Sequence, residues 1–282
     1  MSNIAKFILI LLVSHVLQAT SGARILGVFP HVAKSHFVMA EQLMLGLAAR
    51  GHEVVVLSNF PQKKAIPNYT DISLVGSMPA FISAVPLDVI ATGRIHTTQI
   101  LVAHLGVTGC ENTLSMPIVQ KLIKSNETFD LVINEAFNTD CYAAFAHKFK
   151  VPLVSISATP LLPWCYERIG TPDNPAYVPN LLLGHSDKMT FMERLVNTFV
   201  YILTYWEYHF WFDMPSQAIV RKYFGESTPP LAELAKKTSL ILVNRHFTIN
   251  QPIPNVPGII EVGGIHVQVP KKVPQVSVAT KL

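Results

Sequence analysis

The chain has 282 residues, 50% hydrophobic and only 14% charged, with 22 Lys and Arg against 18 Asp and Glu and a formal net charge of +4. With a mean hydropathy of +0.35, this excludes a disordered chain and leaves room for a sizeable core. The 14 Gly and 20 Pro are scattered without period, which excludes a collagen-like or low-complexity polymer. The basic excess is spread too thinly for a nucleic-acid footprint, with Lys pairs only at Lys63–Lys64, Lys236–Lys237 and Lys271–Lys272.

The first segment carries one early cation, Lys6, an apolar run opening with Phe7–Val13, and small residues at Ser21-Gly22-Ala23. It reads as a secretory signal over residues 1–22 rather than a membrane anchor, because the run is short and His15 and Gln18 interrupt it. Two sequons, at Asn68 and Asn126, suit that route as glycosylation sites. Cys110, Cys141 and Cys165 allow one internal disulfide at most, and their spacing suggests no metal site.

Arg24–Phe29 is an apolar strand. From His36 to Arg50, Met39, Leu43 and Leu47 recur every four residues, and Gly51 follows as a stop. His52–Ser58 is a second strand with a continuous apolar centre. Strand, helix and strand within so short a span make a βαβ unit and a parallel sheet. The same grammar continues with a weak strand at Asp71–Val75, a helix at Met116–Lys124 and a strand at Phe129–Asn134. A helix at Thr139–Lys150 and strands at Pro152–Ser157 and Ser239–Asn244 follow. The expected fold is a doubly wound α/β sandwich. Between the last two strands, Ser186 or Asp187 is expected to cap a long helix bearing Phe191, Leu195, Phe199, Ile202 and Trp206. Its segment 198–212 holds eight aromatic side chains, is too often polar to span a bilayer, and is expected to be buried; a membrane-surface contact or the lining of a lipophilic cleft is the other reading.

The common nucleotide and hydrolase signatures are missing: no GxGxxG follows the first strand, and no GxxxxGK[ST], GxSxG or HExxH occurs. What remains lies beyond the carboxyl ends of the strands, where doubly wound sheets bind ligands. His36 follows the first strand, at the start of the first helix, and Glu135 and Asp140 follow the fourth. A histidine held by a carboxylate suits the activation of a hydroxyl, the imidazole taking its proton.

Several stretches carry a resemblance. ILGVFPHVAKSHFVMAEQLMLGLAARGHEVVVLS, FDLVINEAFNTDCYAAFAHKFKVPLVSIS, YVPN followed by SDKMTFMERLVN, then NRHF and VGGIH, occur in the order found in the membrane-associated animal UDP-glycosyltransferases, which include the UDP-glucuronosyltransferases. The resemblance implies a GT-B glycosyltransferase of two Rossmann-like domains, of which residues 23–266 resemble the N-terminal, acceptor-binding one. It implies His36 as the base that deprotonates an acceptor hydroxyl, which then displaces UDP from the sugar with inversion. The partner acid falls in EAFNTD; Asp140 is preferred and Glu135 is the alternative. His31 and Phe37 are expected to contact a lipophilic small-molecule acceptor. No cofactor is implied; a UDP-sugar is the donor substrate.

Nothing in the sequence matches the HGG-containing signature of the family's donor half, so residues 267–282 are expected to be a divergent tail or linker stub, with the donor half and the C-terminal membrane span expected to be absent. The expectation is an acceptor half, inactive alone, in the lumen of the endoplasmic reticulum. A non-catalytic luminal protein that binds lipophiles or pairs as an oligomer with full-length relatives is the alternative, and a secreted carrier a third reading. The loops over 79–104 and 161–180 are expected to line the acceptor cleft.

Overall fold

The computed structural model describes residues 22–78 and 95–268. The expected signal before Gly22, most of the 79–104 loop and the tail beyond 268 lie outside the described residues. Seven strands are described: β1 (Arg24–Phe29), β2 (Glu53–Ser58), β3 (Tyr69–Ser73), β4 (Leu131–Glu135), β5 (Leu153–Ser157), β6 (Thr238–Val243) and β7 (Ile259–Glu261). They form one parallel sheet in the order β3-β2-β1-β4-β5-β6-β7. The helices are α1 (Lys34–Ala49), α2 (Ile95–Ser115), α3 (Pro117–Lys124), α4 (Ala143–Phe149), α5 (Phe191–Glu207), α6 (Met214–Phe224) and α7 (Leu231–Ala235).

Side chains alternate across each strand, so the apolar runs divide between two cores. Ile25, Phe29, Val54, Val56, Ile133 and Ile156 pack against Met39, Ala40 and Met44 of α1. Leu26, Val28, Val55, Leu57, Val132 and Leu153 pack on the other face against Cys110 and Leu114 of α2, Leu122 of α3, Phe145 of α4 and Leu234 of α7. Both faces are covered, which is why these strands read as unbroken hydrophobic runs. α1 ends as expected at Gly51, whose φ of 91° an L side chain would strain. The doubly wound α/β fold is therefore present. Strand order runs outward in opposite directions from the β1–β4 pair, so the connections part there and leave a crevice beyond the carboxyl ends.

Three local expectations need correction. The helix expected from Thr139 begins at Ala143, because Thr139 Oγ1 accepts from the Cys141 N–H and Cys141 is bonded to Cys110 of α2. The long helix starts after Thr190, not after Ser186 or Asp187. Thr190 and Glu193 form a reciprocal capping box, the Thr190 N–H donating to Glu193 Oε2 at 2.6 Å and the Glu193 N–H to Thr190 Oγ1 at 3.3 Å. Finally, the apolar side of this helix is not buried. Phe191, Leu195, Phe199, Ile202, Trp206 and Phe210 face solvent, while Asn197 and Thr204 are buried.

The reason for that inversion lies in the segment before the helix. Asn197 Nδ2 donates to the carbonyls of Pro175 and Val178 and its Oδ1 accepts from the Asn180 N–H. The hydroxyls of Tyr201 and Tyr205 both donate to Asp173 Oδ2, at 2.8 and 2.6 Å. The polar face of α5 satisfies the otherwise irregular chain over 173–180, and the apolar face is left outside. A single wide turn, Tyr208–Asp213, then joins α5 to α6.

Candidate functional site

The turn from β1 into α1 (Pro30–Ala33) and the end of β4 meet at this crevice, because β1 and β4 are paired neighbours. His36 stands in the first turn of α1, its backbone N–H donating to the Ala33 carbonyl at 3.1 Å. Glu135 is the last residue of β4. His36 Nδ1 lies 2.5 Å from Glu135 Oε1, with both side chains mostly buried at 15% and 9% exposure. A carboxylate on Nδ1 holds the ring proton there and leaves Nε2 as the nitrogen able to accept a proton.

The imidazole is clamped from both sides. His31 stacks on it with ring centroids 4.3 Å apart and planes 22° apart, and Phe137 sits against it at 4.3 Å. His31 Nδ1 accepts from the Ala33 N–H at 3.1 Å, which fixes its ring. Burial pushes its pKa down to about 4, against the pull of Glu135. His31 is therefore neutral at neutral pH.

These groups line a cavity of about 450 Å³. Its lining also includes Lys34 of α1, Met78, the α2 residues Val102, Leu105, Gly106 and Gly109, and Asn138 and Tyr142 after β4. α2 reaches this position for two reasons. The Cys110–Cys141 disulfide ties it to the segment following Glu135, and Asn138 Nδ2 donates to the Val102 carbonyl at 3.1 Å. Gly106 permits the close approach: a Cβ there would stand 2.1 Å from the Asn138 carbonyl oxygen. An apolar chamber of this size with a few polar groups at one end is the usual form of a small-molecule site.

Of the two acids weighed from sequence, the structure brings Glu135 to His36 and not Asp140. Five residues past the strand, the chain has turned toward α2 and the segment Pro163–Arg168. Asp140 Oδ1 lies 2.6 Å from Arg168 Nη2, and its Oδ2 accepts from the Tyr208 hydroxyl at 2.5 Å. Asp140 therefore neutralises a buried guanidinium and tethers the helix turn after α5. Phe37, expected at the acceptor, is also elsewhere. It follows His36 by one residue, about 100° further around the helix, and is buried between Phe29 and Phe60. Asn68 and Asn126 are both exposed, though Asn68 Nδ2 donates to the Ala48 carbonyl at 3.3 Å.

The sequence reading missed Phe137, Tyr142 and the α2 residues. Phe137 had a usable signal, an aromatic two residues past a strand end; α2 had only two glycines in an apolar stretch, which do not distinguish a cavity wall from a core helix.

At the switch point of this doubly wound sheet, a carboxylate-held imidazole borders an apolar chamber. The chain belongs to the UDP-glycosyltransferase family: residues 88–279 match the family described as UDP-glucoronosyl and UDP-glucosyl transferase. It is 38% identical over 272 residues to UDP-glucosyltransferase 2 of Dactylopius coccus, covering 95% of this chain and 52% of that protein. It is 36% identical over 263 residues to UDP-glycosyltransferase UGT5 of the same organism, covering 89% and 49%. A solved structure titled as the glycotransferase of kitacinnamycin superposes at a TM-score of 0.46 and 15% identity, over 90% of this chain and 54% of its own. The chain spans about half the length of the curated relatives it matches.

Proposed function

We propose that this chain is the N-terminal, acceptor-binding half of an inverting UDP-glycosyltransferase of the two-domain GT-B type. In this reading the cavity holds a lipophilic small molecule with its hydroxyl against His36 Nε2. The imidazole takes the hydroxyl proton while the oxygen attacks the anomeric carbon of a UDP-sugar, glucose or glucuronic acid. The new C–O bond forms as the bond to UDP breaks, and Glu135 stabilises the imidazolium. Donor binding is assigned to the part of the relatives that this chain does not span, so catalysis needs that part to position both reactants. The observation that carries the proposal is the 2.5 Å His36–Glu135 pair on the wall of the apolar cavity.

The test uses the chain joined to a UDP-sugar-binding half. His36→Ala is expected to lower kcat by ~10²–10⁴-fold while acceptor binding changes little, and Glu135→Gln to lower kcat with a shifted pH profile. Unchanged turnover in folded His36→Ala refutes the assignment.

A second reading concerns where the domain works. The solvent-facing side of α5 and the turn after it presents Phe191, Leu195, Phe199, Ile202, Trp206 and Phe210, with Arg194 exposed between the first two. No helix of the described residues is long and apolar enough to cross a membrane. This stripe supports contact with a lipid surface in the secretory lumen, its aromatic side chains entering the headgroup region. Co-sedimentation with phosphatidylcholine vesicles is expected for the wild type and not for Phe199→Glu/Ile202→Glu, both sites being exposed. Equal sedimentation of the two proteins counts against it.

A further inference from the structure

One wall of the chamber beside His36 is a single helix face. Val102, Leu105, Gly106 and Gly109 of α2 all line it, and spacings of three and four residues set them on one side of the helix. Two of the four carry no side chain, and both lie well inside Ile95–Ser115. A helix interior is a costly place for glycine, because no other residue gives up as much backbone freedom there.

The two glycines differ in what surrounds them. At Gly106 a Cβ would stand 2.1 Å from the Asn138 carbonyl oxygen, so the close packing of α2 on the chain after β4 excludes any side chain. At Gly109 packing excludes nothing. A Cβ there would meet only Met78 Sδ at 3.6 Å and Tyr142 Oη at 3.9 Å, both ordinary contact distances. Its backbone is helical, so no left-handed conformation demands glycine. It is no hinge either: α2 runs unbroken through it, and the next residue, Cys110, is bonded to Cys141. Met78 and Tyr142 themselves line the chamber. A side chain at 109 would therefore fit the fold and take its room from the cavity.

We infer that Gly109 sets the breadth of the acceptor: the side chain it lacks leaves space along the α2 wall for the apolar body of the substrate. The inference rests on the chamber being the acceptor site, and it names the position that sorts acceptors by size. Gly109 acts on the apolar body and not on the hydroxyl, which belongs at the His36–Glu135 end. It is a specificity residue and takes no part in proton transfer.

Phenol and 4-cyclohexylphenol carry the same hydroxyl and differ in the breadth of the apolar body. Each is titrated by ligand-observed NMR into the full chain and into its Gly109→Ala and Gly109→Leu variants, and thermal unfolding is recorded for all three. The broad phenol is expected to bind Gly109→Ala at least about threefold, and Gly109→Leu at least about tenfold, more weakly than wild type, the scale set by single methylene groups in apolar pockets. Phenol binding is expected to change by less than about twofold, since it leaves that space empty. Gly109→Ala is also expected to melt about 1–4 °C above wild type, the gain from replacing a helical glycine that packing does not require. Leu105→Trp fills the same chamber from the neighbouring turn and is expected to weaken both probes. Broad-phenol binding lost in Leu105→Trp and unchanged in Gly109→Leu overturns the role of Gly109 and leaves the acceptor site standing. Broad-phenol binding that is absent from wild type, or unchanged in both variants, overturns the acceptor reading along with it. A Gly109→Ala protein that melts below wild type shows that packing closes position 109, and it too overturns the inference.

Discussion

Replacing Asp140 by Asn tests the separation of the two acids most directly. Asp140 and Arg168 are 7% and 4% exposed and lie 2.6 Å apart, with the Tyr208 hydroxyl on the second carboxylate oxygen. Burial disfavours the charged guanidinium, but its neighbours, Asp140 foremost, hold the Arg168 pKa above its ordinary value, so the cation persists. Asn keeps the shape and removes the charge, stranding that cation in the interior. Breaking one side of a buried pair costs about 3–5 kcal/mol. In a domain of this size each kcal/mol moves the melting point by about 2–4 °C, so the expected loss is about 6–20 °C. Thermal unfolding by circular dichroism measures it, with Glu135→Gln as the comparison. Glu135 faces an imidazole at a cavity wall rather than a guanidinium, and Gln keeps an acceptor there, so its substitution is expected to cost less than Asp140→Asn. The double substitution Asp140→Leu/Arg168→Met removes both charges and is expected to recover much of the single variant's loss. An Asp140→Asn protein that melts within about 2 °C of wild type, or a double variant as unstable as the sum of its parts, refutes the reasoning.

Three further outcomes follow from the same geometry. The Cys110–Cys141 bond spans a sequence separation of 31, so its reduction is expected to cost about 3–4 kcal/mol by the loop-entropy relation; urea midpoints that coincide with and without reductant contradict this. Cys165, buried and with its thiol pushed up to about 11 by that burial, is expected to resist iodoacetamide until the chain unfolds, and labelling of the native protein at mild alkaline pH counts against its placement. Gly106→Ala sets a methyl group against the Asn138 carbonyl, a backbone atom that cannot rotate away. It is expected to cost about 1–3 kcal/mol and to weaken acceptor binding, and unaltered urea unfolding refutes it.

The fourth concerns pH. Burial lowers the His31 pKa from 6.5 to about 4, so between those values the unfolded chain binds protons that the folded chain does not. Stability is full above pH 6.5 and falls as the pH drops toward 4, by on the order of 3 kcal/mol once the window is crossed. His31→Gln is expected to flatten this part of the urea-stability profile; a slope identical to wild type shows that His31 is not its source.

The fold was legible because parallel strands covered on both faces must be apolar throughout, and runs such as Ile25–Phe29 and Val54–Leu57 can satisfy little else. Gly51 marked the end of α1 for a similarly local reason, since its φ requires a residue without a side chain. His36 could be placed because a residue just past a strand in a βαβ unit lies at the carboxyl edge whatever the rest of the chain does. Local pattern stopped helping where two residues of one chemistry lay close together. Glu135 and Asp140 are both acids in a six-residue stretch, and the direction of the turn after β4, drawn by a disulfide to α2, decides which one meets the histidine. Three cysteines permit three pairings, and only the docking of α2 selects one. The α5 helix shows the same limit. Its periodicity defines an apolar face and a polar face, but which of them points inward depends on partners far along the chain: here Asp173 and the carbonyls of Pro175 and Val178 hold the polar face inside. Sequence determined the central strands and the end of α1, because those depend on near neighbours and the sheet's period, while the starts of α4 and α5 were set by a disulfide and a capping box that the pattern did not mark. Tertiary structure alone decided which acid, which cysteine pair and which helix face meet, because each is a choice among chemically equivalent local candidates settled by long-range contact.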